Sequence, residues 1–168
     1  ERMGELLETM LLLSKEGDER DDPACALADV IEDVVAVCCP SLARRTVDLQ
    51  VKLLAHPILP VERSLAYVAL SNIVRNACAH TEQGSITVTL DDEAVVVTDT
   101  GGGIPEDRFP TLFERHAKGE GSTGHGLGLS IVARVAARLK WSVTVQSASG
   151  TGTSVRLRFT EHSAAGGR

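Results

Sequence analysis

The sequence predicts an α+β fold, a two-layer α/β sandwich of one mixed sheet packed on three helices, preceded by the end of a bundle or coiled-coil helix. Strand-like alternation recurs at 47–54, 85–90, 94–99, 141–147 and 153–159. Apolar stripes of helical period occupy 26–38, 61–80 and 126–139. The two patterns interleave within 168 residues, the length of one ordinary domain. Hydrophobic residues make up 43% and charged residues 24%, a globular balance. Aromatics are only 3%, so the core has to be built from Leu, Val, Ile and Ala.

The elements follow in order. Residues 1–15 carry Met3, Leu6, Leu7, Met10 and Leu13 at spacings of three and four, one apolar stripe without a partner in the adjoining sequence. That is expected of the end of a bundle helix. EGDERDDP, 16–23, is charged and closes on proline, which reads as a linker. In 26–38, Leu27, Val30, Ile31, Val34 and Val35 form the apolar side. VDLQVKLL (47–54) alternates as a strand, and HPILP (56–60) breaks it with two prolines. A second helix covers 61–80. SITVTL and AVVVTD form a hairpin around Asp91, Asp92 and Glu93. Residues 101–125 are rich in glycine and charge. A third helix buries Leu129, Val132, Val135, Ala136 and Leu139, and a last hairpin turns at Ser149–Gly152. The main domain is expected over 24–160, with a frayed tail at 161–168.

Composition also excludes. Lys plus Arg is 17 against 23 Asp plus Glu, a net charge of -6. An acidic chain with few aromatics lacks the basic footprint and stacking platforms of a nucleic-acid binder, so no nucleic-acid partner is expected. No apolar run approaches the ~18 residues of a membrane span, and no signal-peptide pattern opens the chain. Cys25, Cys38, Cys39 and Cys78 form no CxxC and complete no zinc pattern. They are expected to be small buried apolar residues in a reducing compartment.

Three groups of residues carry chemistry. Asn72, Asn76 and His80 sit at i, i+4 and i+8, on one helix face that Leu65, Val68 and Ala69 continue toward the interior. Buried amides there either bond to backbone or offer an oxygen to a hard cation such as Mg2+. Asp99 ends a strand before Thr100-Gly101-Gly102-Gly103-Ile104. Three glycines let a ligand lie against bare backbone, and the carboxylate can accept from an exocyclic amine such as adenine N6. GSTGHGLGLSIV (121–132) runs glycines into a helix start, where backbone N–H groups and the dipole favour phosphate. It is neither a Walker A loop nor a dinucleotide fingerprint.

In order and spacing these elements resemble the ATP-binding domain of bacterial two-component sensor histidine kinases, within the gyrase/heat-shock-chaperone/histidine-kinase/MutL superfamily. NIVRNACAHT (72–81) resembles the N box, DTGGGI (99–104) the G1 box, FPTLFERHAKG (109–119) the F box and GHGLGLSIV (124–132) the G2 box. GTGTSVRLRF (150–159) is similar to the closing hairpin, and RMGELLETMLLLSK to the end of the dimerisation and histidine-phosphotransfer domain.

The resemblance implies a binder of ATP and Mg2+ that presents the γ-phosphate to a histidine on the adjacent dimerisation domain. Asn76 falls on the Mg2+ ligand. Asn72 falls where hydrolysing members carry a glutamate base; an amide is no useful base, so transfer rather than water activation is implied. His80 falls beside the adenine and Asp99 on the adenine amine, with Gly101, Gly103 and Ile104 in the same box. Arg115 and Lys118 fall in a lid over ~106–124, mobile until nucleotide orders it. Gly124, His125, Gly126, Leu127, Gly128 and Leu129 fall along the phosphates, and Thr153 near the aspartate.

Two positions depart from the family. Ala79 stands where a basic residue is usual in the N box, and His116 where a second F-box aromatic is usual. None of His56, His80, His116, His125 and His162 is followed by the acidic residue and nearby proline of a phosphoacceptor box, so the acceptor is expected upstream. The implied partners are the phosphoacceptor domain of the same or a partner subunit, in a homodimer, and a downstream response regulator. The implied location is cytoplasmic, in a membrane-bound sensor. Alternatives are a hydrolysing ATPase of the superfamily, an anti-sigma-type serine kinase, and a non-catalytic nucleotide-binding or scaffold module.

Overall fold

The computed structural model describes residues 24–112 and 125–159. The expected dimerisation helix, linker and tail lie outside these residues, as do Arg115, His116, Lys118 and Gly124. Five strands form a mixed sheet in the order β2-β4-β5-β7-β6: β2 Thr46–Leu53, β4 Gln83–Leu90, β5 Ala94–Asp99, β6 Ser142–Ala148 and β7 Gly152–Arg158. Only β2 and β4 run parallel; the remaining neighbours are antiparallel. Three helices, α1 Leu27–Cys38, α2 Arg63–His80 and α3 His125–Leu139, supply the second layer, with α2 packed against both others. This is the two-layer α/β sandwich that the alternating patterns predict.

Strand alternation decides which side of the sheet meets the helices. Ile86, Val88, Leu90, Val95, Val97, Val155 and Leu157 are buried among the helix residues Leu27, Val34, Leu70, Ile73, Val132 and Val135. Each fully buried aliphatic side chain contributes about 1.5–3 kcal/mol of transfer free energy, so this layer outweighs any surface pair. The exposed ion pair Arg158–Glu93, at 3.1 Å, contributes at most about 1 kcal/mol. The β4–β5 turn closes as expected: Asp91 Oδ1 accepts from the Glu93 and Ala94 N–H groups at 2.8 and 2.7 Å. Helix α3 ends with Lys140 at φ 57, and the Trp141 N–H reaches back to the Ala136 carbonyl at 2.8 Å. That closure leads Trp141 onto Phe159, ring centroids 5.0 Å apart.

Several readings change. HPILP does more than interrupt: β3, Ile58–Leu59, pairs antiparallel with β1, Cys25–Ala26, as a separate two-stranded sheet. Two residues are too few to show a period. Short 3-10 turns occupy Pro40–Arg44 and Glu106–Thr111, the second inside the expected lid. Leu112, which follows it, is buried. Helix α3 begins at His125, one residue before the expected start, so Gly126, Leu127, Gly128 and Leu129 open the helix as expected and His125 joins them. Docking of Leu129, Val132 and Val135 in the core outweighs the roughly 1 kcal/mol by which each helical glycine disfavours the helix.

Candidate active site

Asp99 is the last residue of β5 and is only 6% exposed. Its register partner on β7 is Thr153. Gly101 N–H donates to its Oδ1 at 2.9 Å, and the Thr153 backbone N–H also donates to the carboxylate. Burial pushes this carboxyl above its usual range, and the two backbone donors only partly offset that. A carboxylate has about four acceptor sites, so capacity remains for another donor.

The segment after Asp99 is fastened on three sides. A Cβ at Gly101 would land on the His80 carbonyl, so the loop lies directly on the last turn of α2. The Gly102 carbonyl accepts from Gly150 N–H at 2.8 Å, across to the β6–β7 turn. Ile104 N–H donates to Ser147 Oγ at 2.8 Å; that hydroxyl donates to the Gly152 carbonyl at 2.7 Å and lies 2.9 Å from Thr153 Oγ1. Gly103 adopts φ 70 within this stretch. Ser147 thus ties the glycine segment to the strand opposite Asp99.

On α2 the sequence places Asn72, Asn76 and His80 toward the interior, and the structure corrects this. All three are half-buried, on the margin of the face that buries Leu65, Ala69, Ile73, Val74 and Ala77. Hydrophobic residues fill the centre of that face because the amides have no polar partners there. Asn72 Nδ2 donates to the Val68 carbonyl at 2.8 Å, the backbone satisfaction expected of a helical amide. Asn76 is different. Its amide has no hydrogen-bond partner among the described residues, and Gly128 of α3 faces it. A Cβ at Gly128 would sit 3.0 Å from Asn76 Nδ2 and 3.1 Å from its Oδ1. Two sequence-distant boxes therefore meet at one amide.

Arg45 was not singled out by its sequence context. Its Nη1 donates to the carbonyls of Cys78 and Thr81 at 2.7 and 3.2 Å, a cation on the C-terminal end of α2. Thr81, fully buried, donates to the Ala77 carbonyl at 2.8 Å. Neither Arg45 nor Ser147 belongs to a motif, and only the sheet register brings them to the site.

A helix margin bearing a bare amide, a buried acid at a strand end, and a glycine-opened helix meeting that amide make up an ATPase-type nucleotide domain. A family model described as histidine kinase-, DNA gyrase B- and HSP90-like ATPase matches residues 62–163, more than half of the sequence, and the chain belongs to that family. The sensor-like histidine kinase SenX3 of Mycobacterium tuberculosis is 33% identical over 173 residues, 93% of this chain and 41% of the relative. The sensor histidine kinase RppB of Synechocystis sp. is 30% identical over 166 residues, 90% of this chain and 37% of the relative. The chain thus spans about two fifths of these curated relatives. Among solved structures, the mycobacterial sensor histidine kinase MprB superimposes with TM-score 0.68 at 23% identity, over 81% of this chain and 96% of that one. The fold is that of a histidine kinase catalytic domain.

Proposed function

We propose that this chain binds ATP with Mg2+ and holds its γ-phosphate for transfer to a histidine on an adjacent dimerisation domain, as the catalytic part of a two-component sensor kinase. The observation that carries the reading is the meeting of Asn76 with Gly128, on the same helix whose last turn underlies the Asp99 loop. The residues fit the ligand. Asn76 brings an unengaged amide oxygen of the kind a hard cation takes. Asp99 brings spare acceptor capacity to a buried position, and Gly101, Gly103 and Ile104 fasten the segment beside it, which leaves open space only at Gly102. When bound, ATP supplies the phosphoryl group and Mg2+ neutralises its charge.

The chain's own residues position and exclude. Asp99, held by two backbone donors, accepts from the adenine amine, with Thr153 fixing its strand and His80 beside the base. The start of α3, from His125 through Leu129, turns N–H groups and dipole toward the phosphates. Asn72 donates to its own helix and has no basic atom to activate water, which favours transfer over hydrolysis. Arg115, Lys118 and Gly124 are assigned to a lid that closes over the nucleotide. Catalysis is then positioning and charge neutralisation. The proposed partners are the phosphoacceptor domain of a homodimer and a response regulator, and the proposed location is the cytoplasmic side of a membrane-bound sensor. No described helix is long and apolar enough to cross a membrane.

The test is labelling with γ-labelled ATP. This chain alone is expected to stay unlabelled, since its five histidines lack a phosphoacceptor context. A separately supplied dimerisation domain of the same kinase should acquire acid-labile label. Label on this chain, or none on the dimerisation domain despite measurable ATP binding, would overturn the transfer reading. Absence of ATP-Mg2+ binding by calorimetry would favour a scaffold.

Gly128→Ala probes the amide directly. Alanine favours a helix by about 1 kcal/mol over glycine, yet its Cβ would force the Asn76 amide aside. Thermal stability should hold within a few degrees while ATP-Mg2+ affinity falls roughly tenfold, about 1.4 kcal/mol. Undiminished affinity would detach Asn76 from the metal.

A further inference from the structure

Two thiols meet in the core at the last turn of α2. Cys39 caps the C-terminal end of α1, and Cys78 lies in the last turn of α2. Their Sγ atoms are 3.4 Å apart, across 39 positions of sequence. Both are free, at 7% and 5% exposure. A disulfide needs about 2.05 Å, so the sulfurs have to close by roughly 1.3 Å. Side-chain rotation supplies most of that, and Cys39 lies between the end of α1 and the 3-10 turn of Pro40–Arg44, where backbone adjusts more readily than in mid-helix.

At this distance one thiol can donate its S–H to the other sulfur, so the two are already hydrogen-bonded before any bond forms between them. The thiolate form of either is the nucleophile.

We propose that Cys39 and Cys78 form a redox modification site, oxidised to an intramolecular disulfide by peroxides. The Cys39 thiolate attacks one peroxide oxygen; an S–O bond forms as the O–O bond breaks, giving a sulfenic acid and hydroxide, which takes up the proton of the original thiol as water. Cys78 then attacks the Cys39 sulfur, the S–S bond forms, and the sulfenic hydroxyl leaves with the Cys78 proton as a second water. Two thiols lose two electrons and hydrogen peroxide accepts both. The bond ties the end of α1 to the turn of α2 that underlies Gly101, and it closes a loop containing β2 and β3.

The experiment uses the full reduced chain and stoichiometric hydrogen peroxide. Intact mass should fall by two hydrogens, dithiothreitol should restore it, and the melting temperature of the oxidised form should rise by roughly 10 °C from the closed loop. Cys25→Ser and Cys38→Ser should keep the cross-link, and Cys78→Ala should abolish it. Addition of oxygen to the wild-type chain without loss of two hydrogens, or a link that persists in Cys78→Ala or vanishes in Cys38→Ser, would overturn the assignment. Fragmentation of the cross-linked peptides from the oxidised wild-type chain should place the bond on Cys39 and Cys78, which decides the matter even if a variant fails to fold; a bond on Cys25 or Cys38 would overturn it.

Discussion

Asp99→Asn is expected to bind ATP more weakly by roughly ten- to a hundredfold, the loss of a charged hydrogen bond of about 1.5–3 kcal/mol, while the folded domain becomes more stable at neutral pH. The two effects have one source. Asp99 is buried, and burial holds its carboxyl above the usual range despite the donors from Gly101 and Thr153. A folded pKa above the unfolded one means that the folded state binds more protons between the two values. Stability therefore falls as pH rises through that window, from the ordinary carboxylate range up to the raised folded value, and levels off above it. Asparagine keeps an acceptor oxygen for the backbone donors and cannot ionise. Its stability advantage should be complete above the folded pKa and disappear as pH falls through the window. Melting curves from acid to neutral pH, paired with calorimetry of ATP binding, check both halves. Unchanged ATP affinity would remove Asp99 from the site.

Gly152→Ala is expected to lower unfolding free energy by about 3 kcal/mol or more. Gly152 starts β7 at φ 94, and a Cβ there would lie on the Asp99 carbonyl, so backbone would have to yield to backbone. Gly102→Ala is the control, with open space around the added carbon, and should stay within about 0.5 kcal/mol in stability. Urea midpoints at unchanged m-value separate the two. A wild-type midpoint for Gly152→Ala would contradict the pairing of Asp99 with Thr153.

The periodic elements could be read from the sequence because burial imposes the period. Helix and strand limits agree within two residues, and Asp91 announces its turn chemically. Features made by two distant segments could not be read. The β1–β3 pair is too short to have a period, and Pro57 and Pro60 mask it. Ser147 looks like any strand serine until register sets it beside Ile104 and Gly152. Cys39 and Cys78 each read as a small apolar residue, and only their contact reveals a pair. The Asn72–Asn76–His80 spacing gave the shared face correctly but not its depth, because the width of the apolar wedge depends on where α1 and α3 dock. The apolar period behind Gly126 and Gly128 places both in the helix, and α3 begins one residue earlier, at His125.

The place of β5 in the sheet has a consequence for synthesis. Its two neighbours come from opposite directions along the chain: β4 immediately precedes it, whereas β7 begins only at Gly152. A nascent chain emerges N-terminus first, so β5 presents an unpaired edge to its surroundings until β7 has left the ribosome. That edge contains Val95, Val96 and Val97, a run prone to pair with any available strand. Asp91, Asp92 and Glu93 before it and Asp99 after it act as charged gatekeepers during the wait. The acid at the end of β5, proposed above to receive adenine, also guards, earlier in the life of the molecule, against the wrong strand.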